Sequence, residues 1–134
     1  MQKPSLDLIL VPVSLGELAD KITILEIKRE KISDQAKLTN VVRELDLLSE
    51  VLHKQPVGDE VFQRLLRELG EVNRRLWDIE DRIRDCEREG KFDQTFVDLA
   101  RGVYQSNDVR ARLKFEINSR YGSALVEEKS YAAY

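Results

Sequence analysis

Phe62, Leu65, Leu69, Val72, Leu76, Ile79, Ile83 and Cys86 follow one another at spacings that alternate between three and four. That alternation returns one narrow apolar stripe to the same side of a helix, and no polar residue interrupts it. It predicts a single long helix from about Asp59 to Glu89, laid against a partner along the stripe. At 1.5 Å per residue the helix spans about 45 Å, against roughly 28 Å for each of the two helices expected before it. Part of it therefore outruns any partner of their length, unless the last helix covers it. Beside the stripe stand Arg75 with Glu80 and Arg82 with Glu87. Charges five apart at flanking positions rim an intrachain seam or join two facing copies. Leu69, Val72, Leu76, Ile79 and Ile83 are accordingly the candidate residues of an oligomer seam.

The remaining pattern is helical as well. Leu6 to Val13 is apolar and interrupted by Pro12, which confines any strand there to an edge; residues 1–13 read as a short extended arm. Ser14-Leu15-Gly16-Glu17 has the form of a capping box opening a first helix that runs to about Ile32. Leu15, Leu18, Ile22, Leu25 and Ile32 line one face, and Ile24 and Ile27 another. A helix apolar on two faces is a central one. Asp20 and Thr23 share the second face, which places Asp20 in partial burial.

A second helix follows from about Ala36 to Lys54, with Leu38, Val41, Leu45, Leu48 and Leu52 as its seam. Gln55-Pro56-Val57-Gly58 breaks it, and Asp59 caps the long helix. Gly70, inside that helix, marks a kink or a close approach. Gly90 ends the helix and Asp93 caps a fourth, which runs to about Tyr121 before Gly122 stops it. Leu125 and Val126, in the tail from residue 122 to 134, offer a short strand beside the arm. The prediction is one all-α domain, an antiparallel bundle of about four helices over residues 14–121, with short loops between neighbours.

The fourth helix breaks the apolar rule. After Phe96, Ala100 and Val103, the same register gives Asn107, Arg110 and Lys114, with Asn118 beside that row and apolar residues on both flanks. Two cations in an apolar arc require carboxylates, an anionic ligand or an open cleft. Asp20 and Glu80 are the candidate carboxylates. In one reading they pair with Arg110 and Lys114 and fix helix register. In the other, Asn107, Arg110, Lys114, Asn118, Asp20 and Glu80 line a pocket for a phosphate, a sugar nucleotide or a carboxylate. A third arrangement breaks the helix at Ser106-Asn107-Asp108 and turns the island into a helix start, which also attracts anions.

Composition narrows the chemistry. The chain has 134 residues, 42% hydrophobic and 35% charged, with a net charge of −3. It lacks the positive excess that nucleic acid selects. Its one cysteine, Cys86, forms no intrachain disulfide, and its one histidine, His53, leaves no nitrogen and sulfur set for zinc. Cys86 reads as a small core hydrophobe and His53 as exposed. Leu8 to Val13 is far too short to span a bilayer, and the N-terminus lacks the apolar run of a signal peptide. A cytoplasmic protein, with no cofactor, no metal, no nucleic acid and no membrane, is expected. Asp78, Asp81 and Asp85, with Glu17 and Asp20, resemble the carboxylate helices of magnesium-dependent nucleotide pyrophosphatases. Arg82 and Arg84 are interleaved among them, so a solvated, salt-bridged face is the expectation. Trp77, one position off the stripe, packs on a neighbouring helix or, if exposed, marks an interaction surface.

Three stretches together resemble an uncharacterised bacterial and phage family, a domain of unknown function about as long as this chain. They are Val13 to Lys28 (VSLGELADKITILEIK), Leu76 to Asp81 (LWDIED), and Asn107 to Arg110 through Ile117-Asn118, closing on Leu125 to Tyr131 (LVEEKSY). The resemblance runs from about Val11 to Tyr131 and implies no activity, substrate or catalytic residue. Two functions follow from the residues. The first is a non-enzymatic oligomerisation or partner-binding protein, a homodimer through the long seam. The second is a small anionic-ligand-binding protein or enzyme centred on the fourth helix.

Overall fold

A computed structural model describes residue 3 and residues 5–134. The start of the expected arm, at Met1, Gln2 and Pro4, lies outside the described residues. Four helices follow in order: α1 (Leu15–Lys31), α2 (Gln35–His53), α3 (Glu60–Glu89) and α4 (Gln94–Arg120). None of the described helices is long and apolar enough to cross a membrane.

Each helix begins where a side-chain oxygen takes up an amide left over by the first turn. Ser14 accepts from Glu17 at 3.1 Å, Asp34 from Lys37 at 3.0 Å, Asp59 from Phe62 at 2.8 Å and Asp93 from Thr95 at 3.1 Å. The capping box is only half formed, because the Glu17 carboxylate turns to Lys114 and Lys21. An ammonium is a stronger partner than the Ser14 amide. At the far end of α3, Gly90 adopts the left-handed conformation (φ 67°) that favours glycine.

Short loops make successive helices antiparallel, and α1 is the hub. Leu18, Ile22 and Leu25 on one face of α1 pack against Val41 and Leu45 of α2. Ala19 on the other face joins Phe62, Leu65, Leu69 and Val72 of α3 and Leu113 and Ile117 of α4. α2 packs chiefly on α1, and Leu52 near its end also reaches the core that α1 shares with α3 and α4.

The long stripe divides along its length. Phe62, Leu65, Leu69 and Val72 are buried in the chain's own core, whereas Leu76, Ile79, Ile83 and Cys86 are half-buried. Beyond Val72 the cover comes mainly from α4, the partner that the length of α3 demands. Gly102 allows the contact: a Cβ there would lie 3.1 Å from Ile79 Cδ1. Leu69 and Val72 therefore face inward and are not available to an oligomer seam; Leu76, Ile79 and Ile83 keep part of their surface. Gly70 is not a close approach, since a Cβ there would meet nothing within 4 Å.

Among the described residues there is no strand, so Leu125 and Val126 do not pair with the arm. Two strands with no sheet to cover them are marginal in water. The tail is tied instead to the first turn of α1, by the Leu15 amide donating to Ser123 Oγ at 3.0 Å.

Candidate functional site

The island of α4 lies against the first turns of α1. α4 is unbroken through Ser106, Asn107 and Asp108, so no new helix start forms there. Residues three and four apart on α4 share the face that meets α1. Down that face Arg110 reaches Asp20, Lys114 reaches Glu17 and Asn118 reaches Gly16.

Asp20 is 1% exposed. Its carboxylate accepts from Arg110 Nε at 2.9 Å, from Arg110 Nη2, and from Asn73 Nδ2 at 2.9 Å. Asn73 Nδ2 also lies 2.9 Å from Thr23 Oγ1, whose hydroxyl donates to the Asp20 carbonyl at 2.8 Å. The forked pair matches the guanidinium plane to the carboxylate, and the neutral donor offsets the remaining loss of water. The hydrogen bond to Asp20 raises the Arg110 pKa above its ordinary value despite partial burial.

One turn on, Lys114 is 6% exposed and held by two carboxylates, Glu17 Oε2 at 2.7 Å and Glu127 Oε2 at 2.8 Å. Burial pushes its pKa down, but the bonds to Glu127 and Glu17 outweigh this and leave it raised. Lys114 and Lys129 pull the Glu127 carboxyl down to about 2. A further turn on, Asn118 Oδ1 accepts the Gly16 amide at 2.7 Å. Its buried Nδ2 has no partner among the described residues. A Cβ on Gly16 would lie 2.6 Å from the Lys114 carbonyl oxygen, so glycine is what lets α1 approach α4 this closely.

Asp20, Arg110, Lys114 and Asn118 thus come together at one interface. Asn107 is exposed at its edge, and Glu80 pairs with Arg84 one turn along its own helix. Glu17 and Glu127, not Asp20 and Glu80, neutralise Lys114. Glu17 is visible in the sequence as a capping residue and as one of the helix carboxylates, but not as a partner of Lys114. Glu127 sits in a tail without periodicity, and nothing in the sequence brings it to α4. His53 is exposed and Cys86 half-buried. Asp78, Asp81 and Asp85 are exposed, with Asp85 bonded to Arg88.

Two clefts flank the interface, and Arg110 and Asn107 line both. The first, about 590 Å³, has Ile24, Ile27, Leu76 and Trp77 among its walls. The second, about 1100 Å³, lies between α4 and the tail, beside Tyr104, Lys129, Tyr131 and Tyr134.

A family model matches residues 9–134. The chain belongs to DUF6165, a family of unknown function. No curated protein and no solved structure matches it. The match to DUF6165 runs from the arm through all four helices to the end of the tail, so both clefts and the whole polar interface lie inside the family's region.

Proposed function

We propose that this chain is a non-enzymatic, dimeric partner-binding module, in which the α1–α4 charges act as a structural lock. Support comes first from how those charges are committed. Asp20 is matched by Arg110, and Glu17 by Lys114, with neutral hydrogen bonds completing the set.

The observation that carries the reading is the arm. Leu6, Leu8, Ile9, Leu10 and Val11 stand 61–87% exposed in an irregular segment. Side chains of this kind are worth roughly 1.5–3 kcal/mol each when buried, so five give on the order of 10 kcal/mol. Association itself costs about 4–15 kcal/mol. The arm alone sits at the threshold, and a stable complex needs a second apolar surface. The same chain carries one, in half-covered Leu76, Ile79 and Ile83 with exposed Phe92 and Val97 on the α3–α4 hairpin. Donor and acceptor in one molecule suit a second copy, each arm lying on the other's hairpin about a two-fold axis. The reading places the dimer in the cytoplasm, where half-exposed Cys86 stays a thiol.

Light scattering after gel filtration, at high micromolar concentration, tests this. The native chain is expected to elute as a dimer. A Leu8→Asp, Leu10→Asp variant is expected to elute as a monomer with unchanged helicity, because both side chains are exposed in the single chain. A monomeric native chain overturns the reading.

A further inference from the structure

The tail crosses α4 as a strap. Glu127 lies against Lys114, and seven residues later the Tyr134 ring meets the Tyr104 ring edge-on at 5.1 Å. The strap therefore runs opposite to α4, with the larger cleft between them. Its residues 125–134 form neither helix nor strand. No backbone ladder holds it, so it can lift without disturbing the helices below.

The three carboxylates facing the cations differ in how they are mounted. Asp20 and Glu17 belong to α1 and are fixed by it. Glu127 belongs to the strap, and bridges Lys114 Nζ at 2.8 Å and Lys129 Nζ at 3.0 Å. When the Glu127 side chain swings out, Lys114 loses one of its two carboxylates, and Lys129, carried on the strap itself, loses the carboxylate it shared with Lys114. Arg110, whose side chain is 30% exposed, uses Nε and Nη2 on Asp20, and its Nη1 has no partner among the described residues. The position is set up for one oxyanion.

Its surroundings select more than charge. Tyr104, Tyr131 and Tyr134 line the same cleft, and the Lys129 ammonium lies 5.9 Å from the Tyr131 ring centre. Aromatic faces beside a cation suit a flat ring attached to the anion. Glu17, Asp20 and Asp108 remain close by and oppose a highly charged ligand such as a polyphosphate.

We propose that Glu127 is a tethered stand-in, and that the cleft beneath the strap binds a small carboxylate or phosphate joined to a flat ring, in place of Glu127. The strap then serves as both competitor and cover. This does not rest on dimer formation, and the Leu8→Asp, Leu10→Asp variant is expected to bind the same ligands.

Calorimetric titration of the full chain tests it, with phenyl phosphate, benzoate and inorganic phosphate as probes. At least one ring-bearing probe is expected to bind, and whichever of the two binds more tightly identifies the oxyanion. Inorganic phosphate is expected to bind roughly tenfold more weakly, lacking the ring contact. Glu127→Gln is expected to tighten binding roughly fivefold, because it removes the competing charge and raises the fraction of open chains. Tyr104→Ala combined with Lys129→Ala, both at exposed positions, is expected to weaken it about tenfold. The proposal is overturned if neither ring-bearing probe binds, if inorganic phosphate matches them, if Glu127→Gln gives no gain, or if the double variant binds as the native chain does.

Discussion

Asp20 and Arg110 lie 90 positions apart and share two hydrogen bonds across the α1–α4 interface. The aspartate is sealed from water and the arginine only partly so. Arg110→Ala would leave a buried carboxylate with Asn73 as its main remaining side-chain donor. The expected loss of stability is about 3–5 kcal/mol. Urea denaturation checks it, and the control is Asp20→Asn with Arg110→Met, which removes both charges together. That double variant is expected to lose clearly less than Arg110→Ala alone, since no uncompensated charge remains.

Two helical glycines are expected to respond to alanine with opposite signs. At Gly16 the new methyl would run into the Lys114 carbonyl oxygen at 2.6 Å, a backbone atom that moves only if α1 and α4 separate. Gly16→Ala is expected to cost about 1–3 kcal/mol. At Gly70 a methyl meets nothing within 4 Å, in the interior of α3. Gly70→Ala is expected to stabilise by about 0.5–1 kcal/mol, the usual helix penalty of glycine. Thermal melting of the two single variants measures both.

The strap is expected to release in acid. Lys114 and Lys129 hold the Glu127 carboxyl at about 2, below its usual 4.5. A depressed carboxyl pKa means that the contact contributes fully above about pH 4.5 and is lost as pH falls through about 2. Lys114, with its pKa raised, stays charged throughout that window. NMR contacts between Tyr104 and Tyr134 are expected to persist from neutral pH to about 4.5 and to fade below it. In Glu127→Gln they are expected to be weak at neutral pH and to lack that transition.

The helices were legible because their signals are local. Capping residues and the three-and-four spacing are written within a few positions, so α3 and its end at Gly90 could be read directly. That Arg110 and Lys114 needed carboxylates, an anionic ligand or an open cleft was legible too, since an apolar arc states the cost of a cation inside it. Which carboxylates answer was not. Asp20 and Glu80 were equal candidates by periodicity, which gives the face of a helix but not the level at which a neighbour crosses it. Close approach at Gly16 puts Asp20 and Glu17 opposite Arg110 and Lys114, and Glu80 finds Arg84 nearer. Glu127 carried no signal, because an irregular tail has no period to extrapolate. The seam misled for a related reason: one unbroken pattern runs past two different environments, a three-helix core at Leu69 and Val72 and a two-helix hairpin at Ile79 and Ile83.

The lopsided attachment of α2 sets an order of disassembly. Because it rests chiefly on α1, with only Leu52 reaching the shared core, it can peel away while the other three rods stay joined through the Asp20–Arg110 clasp. The reverse order is closed, since losing α1 strands α2 as well. The molecule is therefore built to come apart from its outermost rod inward, and the clasp is among the last things to open.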